Sequence, residues 1–363
     1  MAVNEAAALS LNRRIEEFLL ERGAIKVGFA TVETLAGGPP SVDLEYKLKG
    51  ARSAVSYAYP LNKEHIRPFL GKEDRGAHEK DDWDTMACTK ALSWECAEVL
   101  VAEGYASRGT TANLKLRTEM EDWGKGQYPD ISHRYIAVRS GVGSFGWSGN
   151  VGIEGYGTTV ILGTIVTTAE LAATGPISEE ENFCEMCKAC VESCPTEMFE
   201  KDRSRSVTIG GVTFSYAERR DYGRCGMCCG GATGLDRSGE WSTWSPGRFK
   251  LPNPKDDAEE ELQGIQQRAA KAHKQRPPLP GGTDSKVKLH ADPDAVLPKV
   301  YLTCGNCQLV CWGDKKKTVE NLFILRQSGC VIQRPDGAIE ILPPEEAEAE
   351  LNKMDPEQQA LYR

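Results

Sequence analysis

The chain has 363 residues, of which 40% are hydrophobic and 27% are charged. Such a composition predicts a globular protein with a sizeable core and length for more than one domain. The 44 Lys and Arg residues against 53 Asp and Glu give a formal net charge of −9, which does not favour a general binder of polyanions. Because no run of about 20 apolar residues is present, the sequence predicts no membrane-spanning helix.

The first half of the chain alternates helical and strand-like patterns, which predicts an α/β layer structure. Apolar periodicity indicates helices at 4–22 and 83–103. Short apolar runs, the last of them rich in β-branched residues, predict strands at 24–30, 51–59, 135–138 and 158–167. We therefore expect a first α/β domain at residues 1–175.

Residues 176–318 hold most of the 13 cysteines and few long periodic segments, as expected where metal bonds replace much of a core. Within them, proline and glycine clusters predict an inserted loop at about 236–298, with one charged helix near 256–274. The extension at 319–363 predicts a helix at 319–327, a strand pair around Val331 and Ile339, and an acidic helix face from Glu345.

The cysteine spacing carries the strongest chemical signal. A CxxCxxCxxxCP run ends at Pro195, and its cysteines are Cys184, Cys187, Cys190 and Cys194. In this pattern three thiolates of a tight loop bind one [4Fe–4S] cubane, while the fourth cysteine points to a second cubane. The later CxxCxxxC run supplies the complementary ligands Cys304, Cys307 and Cys311.

By analogy with two-cluster bacterial ferredoxins, Cys311 is assigned to the first cluster, with Cys184, Cys187 and Cys190. The second cluster takes Cys194, Cys304, Cys307 and one cysteine from Cys225, Cys228 or Cys229. Zinc is the alternative, but zinc sites more often use two separated pairs of ligands. The close grouping of cysteines also favours metal ligation in a reducing, cytoplasmic compartment over disulfides. Cys88, Cys96 and Cys330 stand alone, and we interpret them as small buried side chains.

A glycine-rich segment precedes the cysteines and contains GxGxxG. Its candidate ligand-binding residues are Gly141, Gly143, Ser144, Gly146, Ser148 and Gly149. No clear helix follows it, so a Rossmann site is not indicated. We interpret the glycines as letting the backbone approach a flat or bulky ligand; a plain glycine-rich turn is the alternative.

Polar side chains that can move protons lie next to this segment. Asp130, His133 and Tyr135 fall within eight residues of one another, and Tyr156 follows the glycines. These four are the candidate catalytic residues. Taken singly, a histidine or tyrosine in such a position is more often a hydrogen-bonded structural residue.

Taken in this order, the α/β region, the segment from Ser140 to Gly149, Tyr156-Gly157 and the two cysteine runs resemble the cobalamin-dependent iron–sulfur reductases. The resemblance covers residues 1–315. It implies a nitroreductase-like α/β domain that holds a base-off corrinoid against the glycine segment, followed by a bacterial ferredoxin-like domain with two [4Fe–4S] clusters. It also implies Cys225 as the eighth ligand, since it follows a basic residue. Two departures are that Trp312 directly follows Cys311, and that Cys228 and Cys229 are extra thiols.

The resemblance leaves three functions open. The first is a reductive dehalogenase-like reductase of a small organic molecule, with electrons from a low-potential donor such as ferredoxin or flavodoxin. The second is epoxyqueuosine reductase, which acts on tRNA. The third is a non-catalytic iron–sulfur electron-transfer subunit. The net charge and the polar segment from Asp130 to Arg134 favour the first.

Overall fold

A computed structural model describes residues 5–110, 116–121, 128–220, 222–256, 258–279 and 303–363. The helices are α1 Glu5–Leu20, α2 Leu44–Lys47, α3 Lys63–Leu70, α4 Gly76–Ala102, α5 His133–Arg139, α6 Ala189–Glu192, α7 Tyr222–Cys229, α8 Glu259–Gln275, α9 Asn306–Leu309, α10 Lys315–Arg326, α11 Pro344–Lys353 and α12 Pro356–Gln359. The strands are β1 Lys26–Thr31, β2 Ser53–Pro60, β3 Ser107–Gly109, β4 Ser144–Phe145, β5 Val151–Gly152, β6 Val160–Thr167, β7 Phe199–Ile209, β8 Val212–Arg219, β9 Cys330–Gln333 and β10 Ile339–Leu342. The predicted insertion at 236–298 lies partly outside the described residues, from 280 onward.

A four-stranded antiparallel sheet with the order β1-β2-β6-β3 forms the centre of the first half. Tyr57 on β2 is opposite Gly163 on β6, where a Cβ would lie 2.2 Å from the tyrosine ring. The missing side chain lets Tyr57 cross the sheet and hydrogen-bond Ser93 of α4 at 2.8 Å. The predicted mixed helix and strand class is therefore confirmed, although the sheet has no parallel pair among its described strands.

The two faces of the sheet are covered by different elements. One core packs α1 and α4 against the sheet, with Leu19, Leu100 and Ile165 fully buried. On the other face a second core includes Ile136 of α5 and Ile209, the last residue of β7. Both predicted long helices are confirmed, since α1 and α4 cover the predicted ranges within the described residues.

The predicted strand at 135–138 is wrong, because these residues lie inside α5. The side chain of Ser132 caps this helix by accepting a hydrogen bond from the Tyr135 backbone, and such a cap favours helix over strand. The expectation of few long elements in the cysteine-rich region is also wrong. The β7–β8 hairpin was missed because most of β7 is exposed and charged, so it lacks the apolar alternation that marks a strand.

A third core joins the start of the chain to its end. It packs Ile66 and Phe69 of α3 with Trp241, Leu325 of α10 and Val331 of β9. The predicted C-terminal helices and strand pair form as expected, but their apolar side chains share a core with the α/β part. The boundaries at 175 and 318 stay predictions. Among the described residues, no helix has the length and apolar character needed to cross a bilayer.

The strand β6 is tied at its start to the second cysteine run. Gly157 has a φ of +64°, and a Cβ there would lie 2.3 Å from the carbonyl oxygen of Cys311 and from the nitrogen of Gly313. The Thr158 backbone donates to that carbonyl at 3.0 Å, and its hydroxyl donates to the Gln308 carbonyl at 2.6 Å. The sheet therefore fixes the position of Cys311 through backbone contacts.

We expect Leu100→Ala to lower the free energy of unfolding by about 2–5 kcal/mol, because a fully buried leucine leaves a cavity. The adjacent Val101 is 54% exposed, so Val101→Ala is the matched control and should change stability by less than about 0.5 kcal/mol. Urea unfolding followed by circular dichroism measures both. Equal effects would contradict the described packing of α4.

We expect Gly157→Ala to disturb the second cysteine run. The substitution strains a left-handed residue and also forces the Cys311 backbone away, so it should cost about 3 kcal/mol or more. Gly155 has a φ of +75° but open space beside it. Gly155→Ala therefore carries only the conformational strain, about 1 kcal/mol. Unfolding of the two purified variants compares these costs, and similar losses would refute the proposed close approach.

Candidate functional site

The first CxxCxxC loop brings four thiols together, and we call Cys184, Cys187, Cys190 and Cys311 the first thiol set. Burial raises the pKa of Cys190 to about 12, and the neighbouring charges of Cys311 and Cys184 raise it further. Burial likewise raises the pKa of Cys311, with Cys184 and Cys187 close enough to add to the effect. Two loop residues, Met186 and Lys188, have left-handed backbones, with φ of 55° and 59°. The chain turns tightly there and directs its thiols inward.

A second group gathers Cys194, Cys304 and Cys307, which we call the second thiol set. Burial raises the pKa of Cys194 to about 11, with Cys304 adding to it. Burial also raises the pKa of Cys307, followed by the charges of Cys225, Cys194 and Cys304. The seven cysteines of the two runs thus lie in two groups, and their assignment to two clusters stays a prediction.

Three further thiols reach the second set from α7. Cys225, Cys194 and Cys307 pack against the same apolar group, which includes Met198 and Phe199. Cys228 and Cys229 both hydrogen-bond Cys304, and these bonds lower the pKa of Cys304. All three are close enough to be the eighth ligand, and Cys225 is the one that shares its apolar contacts with Cys194 and Cys307.

The two sets differ from a site for one metal ion. Within the described ranges, no three His, Cys, Asp or Glu side chains converge closely enough to hold a single ion. A cubane spreads its irons over four corners, so its cysteines lie farther apart than the ligands of one ion. Four thiols in the first set, three in the second and three more on α7, nearly all of them half-buried, have the donor chemistry that such clusters require.

The end of the glycine segment contacts the second thiol set. The Asn150 Nδ2 atom donates to the sulfur of Cys307 at 3.5 Å. Arg219 of β8 donates to the Ser148 carbonyl at 2.9 and 2.6 Å and to the Asn150 side chain at 3.2 Å. Arg134 donates to the Gly149 carbonyl at 2.6 Å. Two guanidinium groups therefore hold this turn against the cysteines.

The glycines themselves are packed by protein on the side where a side chain would project. A Cβ at Gly146 would lie 3.0 Å from the ring of Phe183, and one at Gly149 would lie 2.6 Å from Tyr216. Gly141 and Gly143 likewise face backbone carbonyls at 2.3 and 2.5 Å. Ser144 hydrogen-bonds Asn182 at 2.8 Å. A flat ligand would have to approach this segment from its other side.

Asp130 lies at an open cavity of about 390 Å³ that is lined by Tyr46, Lys47, Arg108, Leu116 and Asp130. Its carboxylate forms an ion pair with Lys47, and both side chains are largely buried. His133, three residues later, hydrogen-bonds the Thr164 hydroxyl of β6 through Nδ1 at 2.8 Å. The start of α5 thus carries both an acid and an imidazole, with the acid facing the cavity.

The two candidate tyrosines lie elsewhere. The Tyr135 hydroxyl contacts that of Tyr216 on β8 at 2.7 Å, and burial raises its pKa, which disfavours the phenolate. Tyr156 is 36% exposed and lies in the turn before Gly157, with the Lys63 ammonium 5.6 Å from its ring. No described contact joins either tyrosine to Asp130.

Several residues of this region were missed by the sequence reasoning. Lys47 and Arg108 line the cavity, yet they lie 83 and 22 positions from Asp130 along the chain. Tyr216 and Arg219 come from the unpredicted hairpin. The only available signal was the Asp-Lys charge complementarity, which many other pairs of the sequence share.

No protein-family model matches the chain. Two curated relatives do: the epoxyqueuosine reductase of Synechocystis is 35% identical over 179 residues, which is 48% of this chain and 54% of that protein. The epoxyqueuosine reductase of Atelocyanobacterium thalassa is 34% identical over 67 residues, or 18% of this chain and 21% of that protein. The matched stretch thus spans about half of the longer-matching relative.

Solved structures that the chain matches include an epoxyqueuosine reductase from Bacillus subtilis, at 15% identity and a TM-score of 0.41 over 98% of both chains. Another is the catabolic reductive dehalogenase NpRdhA, at 16% identity and a TM-score of 0.43 over 56% of this chain and 27% of that one.

The sequence matches confirm the predicted resemblance, because both curated relatives are proteins of the kind it named. They also favour the alternative over the main function prediction, since neither relative is a dehalogenase. Over about half its length, the chain is similar to epoxyqueuosine reductases.

Proposed function

We propose that the chain is an iron–sulfur reductase of the epoxyqueuosine reductase type, with an epoxide-bearing nucleoside of tRNA as its substrate. The observation that carries this proposal is the separation of the cysteines into two half-buried sets beside an α/β region that holds Asp130 at an open cavity. The similarity to two proteins of that name supports the choice of substrate. The whole activity remains a proposal, since the match covers about half of the longer-matching relative.

The first thiol set would hold one [4Fe–4S] cluster, and the second set with Cys225 would hold the other. When bound, such clusters pass single electrons. The residues of this chain set their surroundings. Asn150 donates a hydrogen bond to the Cys307 sulfur, and such bonds are among the factors that tune a cluster's potential.

A corrinoid is the third cofactor implied by the resemblance. The glycine segment has no room for a corrinoid on the side where side chains would project, because Phe183 and Tyr216 already contact the backbone there. Cobalt analysis of anaerobically purified protein decides whether it is bound.

We propose that Asp130 transfers protons to the substrate as a general acid. Reduction of an epoxide by two electrons, with loss of its oxygen as water, consumes two protons. Asp130 faces the cavity, and Lys47 holds its carboxylate in place. Arg108 at the rim adds a positive charge, which suits a substrate that carries phosphates.

We expect Cys225→Ser to remove about four of eight iron atoms per chain and the electron paramagnetic resonance signal of one cluster. The reason is that Cys225, among the α7 thiols, packs against the same apolar group as Cys194 and Cys307. Cys228→Ser and Cys229→Ser are matched controls on the same helix and should keep both signals. Loss of iron in one of these instead would move the eighth ligand to that residue.

The function is tested with a tRNA stem loop that carries epoxyqueuosine, dithionite as reductant, and mass spectrometry to detect loss of one oxygen. We expect turnover by the parent protein and at least about a 100-fold loss in Asp130→Asn, because general acid catalysis typically contributes 10²–10⁴-fold. Glu45→Gln is the control, since Glu45 is exposed on the helix that carries Lys47.

Both variants should keep the iron content of the parent protein. Halide release from a brominated phenol, without any change in the tRNA, would overturn the proposal in favour of the dehalogenase-like function. If the purified protein contains iron but shows neither activity, the result would favour a non-catalytic electron-transfer subunit.

A further inference from the structure

The exposed side of α10 carries positive charge and solvent-exposed apolar side chains. Lys315, Val319 and Phe323 follow one another at four-residue spacing, which places them on one face of the helix. Val319 is 48% exposed and Phe323 is 60% exposed. Lys316 and Lys317 extend the charge at the start of the helix. We call these five residues the lysine face.

The lysine face borders the first thiol set. The Lys315 backbone donates to the carboxylate of Glu185, inside the CxxCxxC loop, at 2.8 Å. The next loop residue, Met186, is 52% exposed, so it enlarges the apolar surface. On the other side of the face, Trp312 directly follows Cys311, and its backbone donates to Thr318 of α10.

A further cation lies near this border. The Lys63 ammonium is 5.2 Å from the ring centre of Trp312, and burial followed by the nearby charge of Lys317 lowers its pKa. Positive groups therefore crowd this side of the cysteines, in a chain whose formal net charge is −9.

The three lysines of the face have no ion pair with any residue in the described parts of the chain. The acidic neighbours have other partners, since Glu320 pairs with Arg67 and Asp314 caps the helix at the Lys317 nitrogen. Exposed cations in the first turn, followed on the same helix by two exposed apolar side chains, combine the charge and apolar area that protein-binding surfaces use.

We propose that the lysine face, with Met186, is the docking surface for a small acidic electron-carrier protein. The inference rests on the proposed function, because it requires a cluster in the first thiol set. In each encounter a flavodoxin-type hydroquinone would lose one electron and become a semiquinone, while the cluster gains that electron. Electron transfer needs a short path, and the lysine face is joined to the loop of the first set by the bond between Lys315 and Glu185.

A protein partner fits this surface better than RNA does. Phosphate contacts need only the lysines and would leave Val319, Phe323 and Met186 unburied. An acidic protein can pair with the lysines and cover the apolar side chains in the same contact. The Asp130 cavity offers a separate position for the tRNA.

The test uses the anaerobically purified holoprotein and reduced flavodoxin, and stopped-flow absorbance follows the bleaching of the clusters. The variant K315E/K316E/K317E reverses the charge of the face, and glutamates suit the first turn of a helix. The control K26E/K271E/K274E makes the same charge change at exposed lysines of β1 and α8. The uncharged variant Phe323→Ser tests the apolar part.

We expect the face variant to be reduced at least about 10-fold more slowly than the control at low salt, because steering raises association rates by 10–10³-fold. Phe323→Ser should also be slower, without a change in salt dependence. Dithionite should reduce all variants to the same number of spins, which shows that the clusters are intact.

Equal rates with flavodoxin in the face and control variants, with intact clusters, would overturn the docking proposal alone. Absence of clusters in the parent protein would overturn the proposed function instead. If the face variant loses binding of the tRNA stem loop while its reduction rate is unchanged, the surface is an RNA site and the proposal fails.

Discussion

The contact between Gly157 and the Cys311 backbone joins the sheet to the cysteine loops. Only a residue without a side chain allows this approach, since a Cβ would meet backbone atoms at 2.3 Å. Gln308 extends the contact by donating to the Val160 carbonyl at 3.0 Å, so the start of β6 bonds the same loop twice. The cysteine run thereby takes its position from the sheet, in addition to the packing of Leu309 and Val310 in the third core.

The hairpin makes a second link between the two parts. At its base, Phe199 and Ala217 pack beside Cys194 and Cys307. At its far end, Ile209 enters the core under the sheet. Also at the base, Arg219 holds the glycine segment through the Ser148 carbonyl. The second thiol set is therefore enclosed by elements that also pack against the α/β region, whereas the first set lies next to the exposed Met186 and α10.

The sequence predicted what local spacing determines. The long helices and the two cysteine runs follow from periodicity and spacing, because their residues meet along one short segment. The eighth thiol was not decided, since Cys225, Cys228 and Cys229 lie within two turns of one helix and all reach the same set. The strand at 135–138 was mistaken because the cap at Ser132 outweighs the strand propensity of a short apolar run. The Lys47–Asp130 pair depends on tertiary packing over 83 residues.

These contacts form a continuous series from α10 to the Asp130 cavity. The lysine face lies beside the first thiol set, and both are anchored to Cys311 and Trp312. The second set is buried behind it, with Asn150 and Arg219 at its inner side. From there the hairpin leads to the core that contains Leu44 of α2, the helix that ends at Lys47 beside Asp130. The described contacts therefore connect the lysine face to the cavity lined by Asp130 through the two thiol sets and the hairpin.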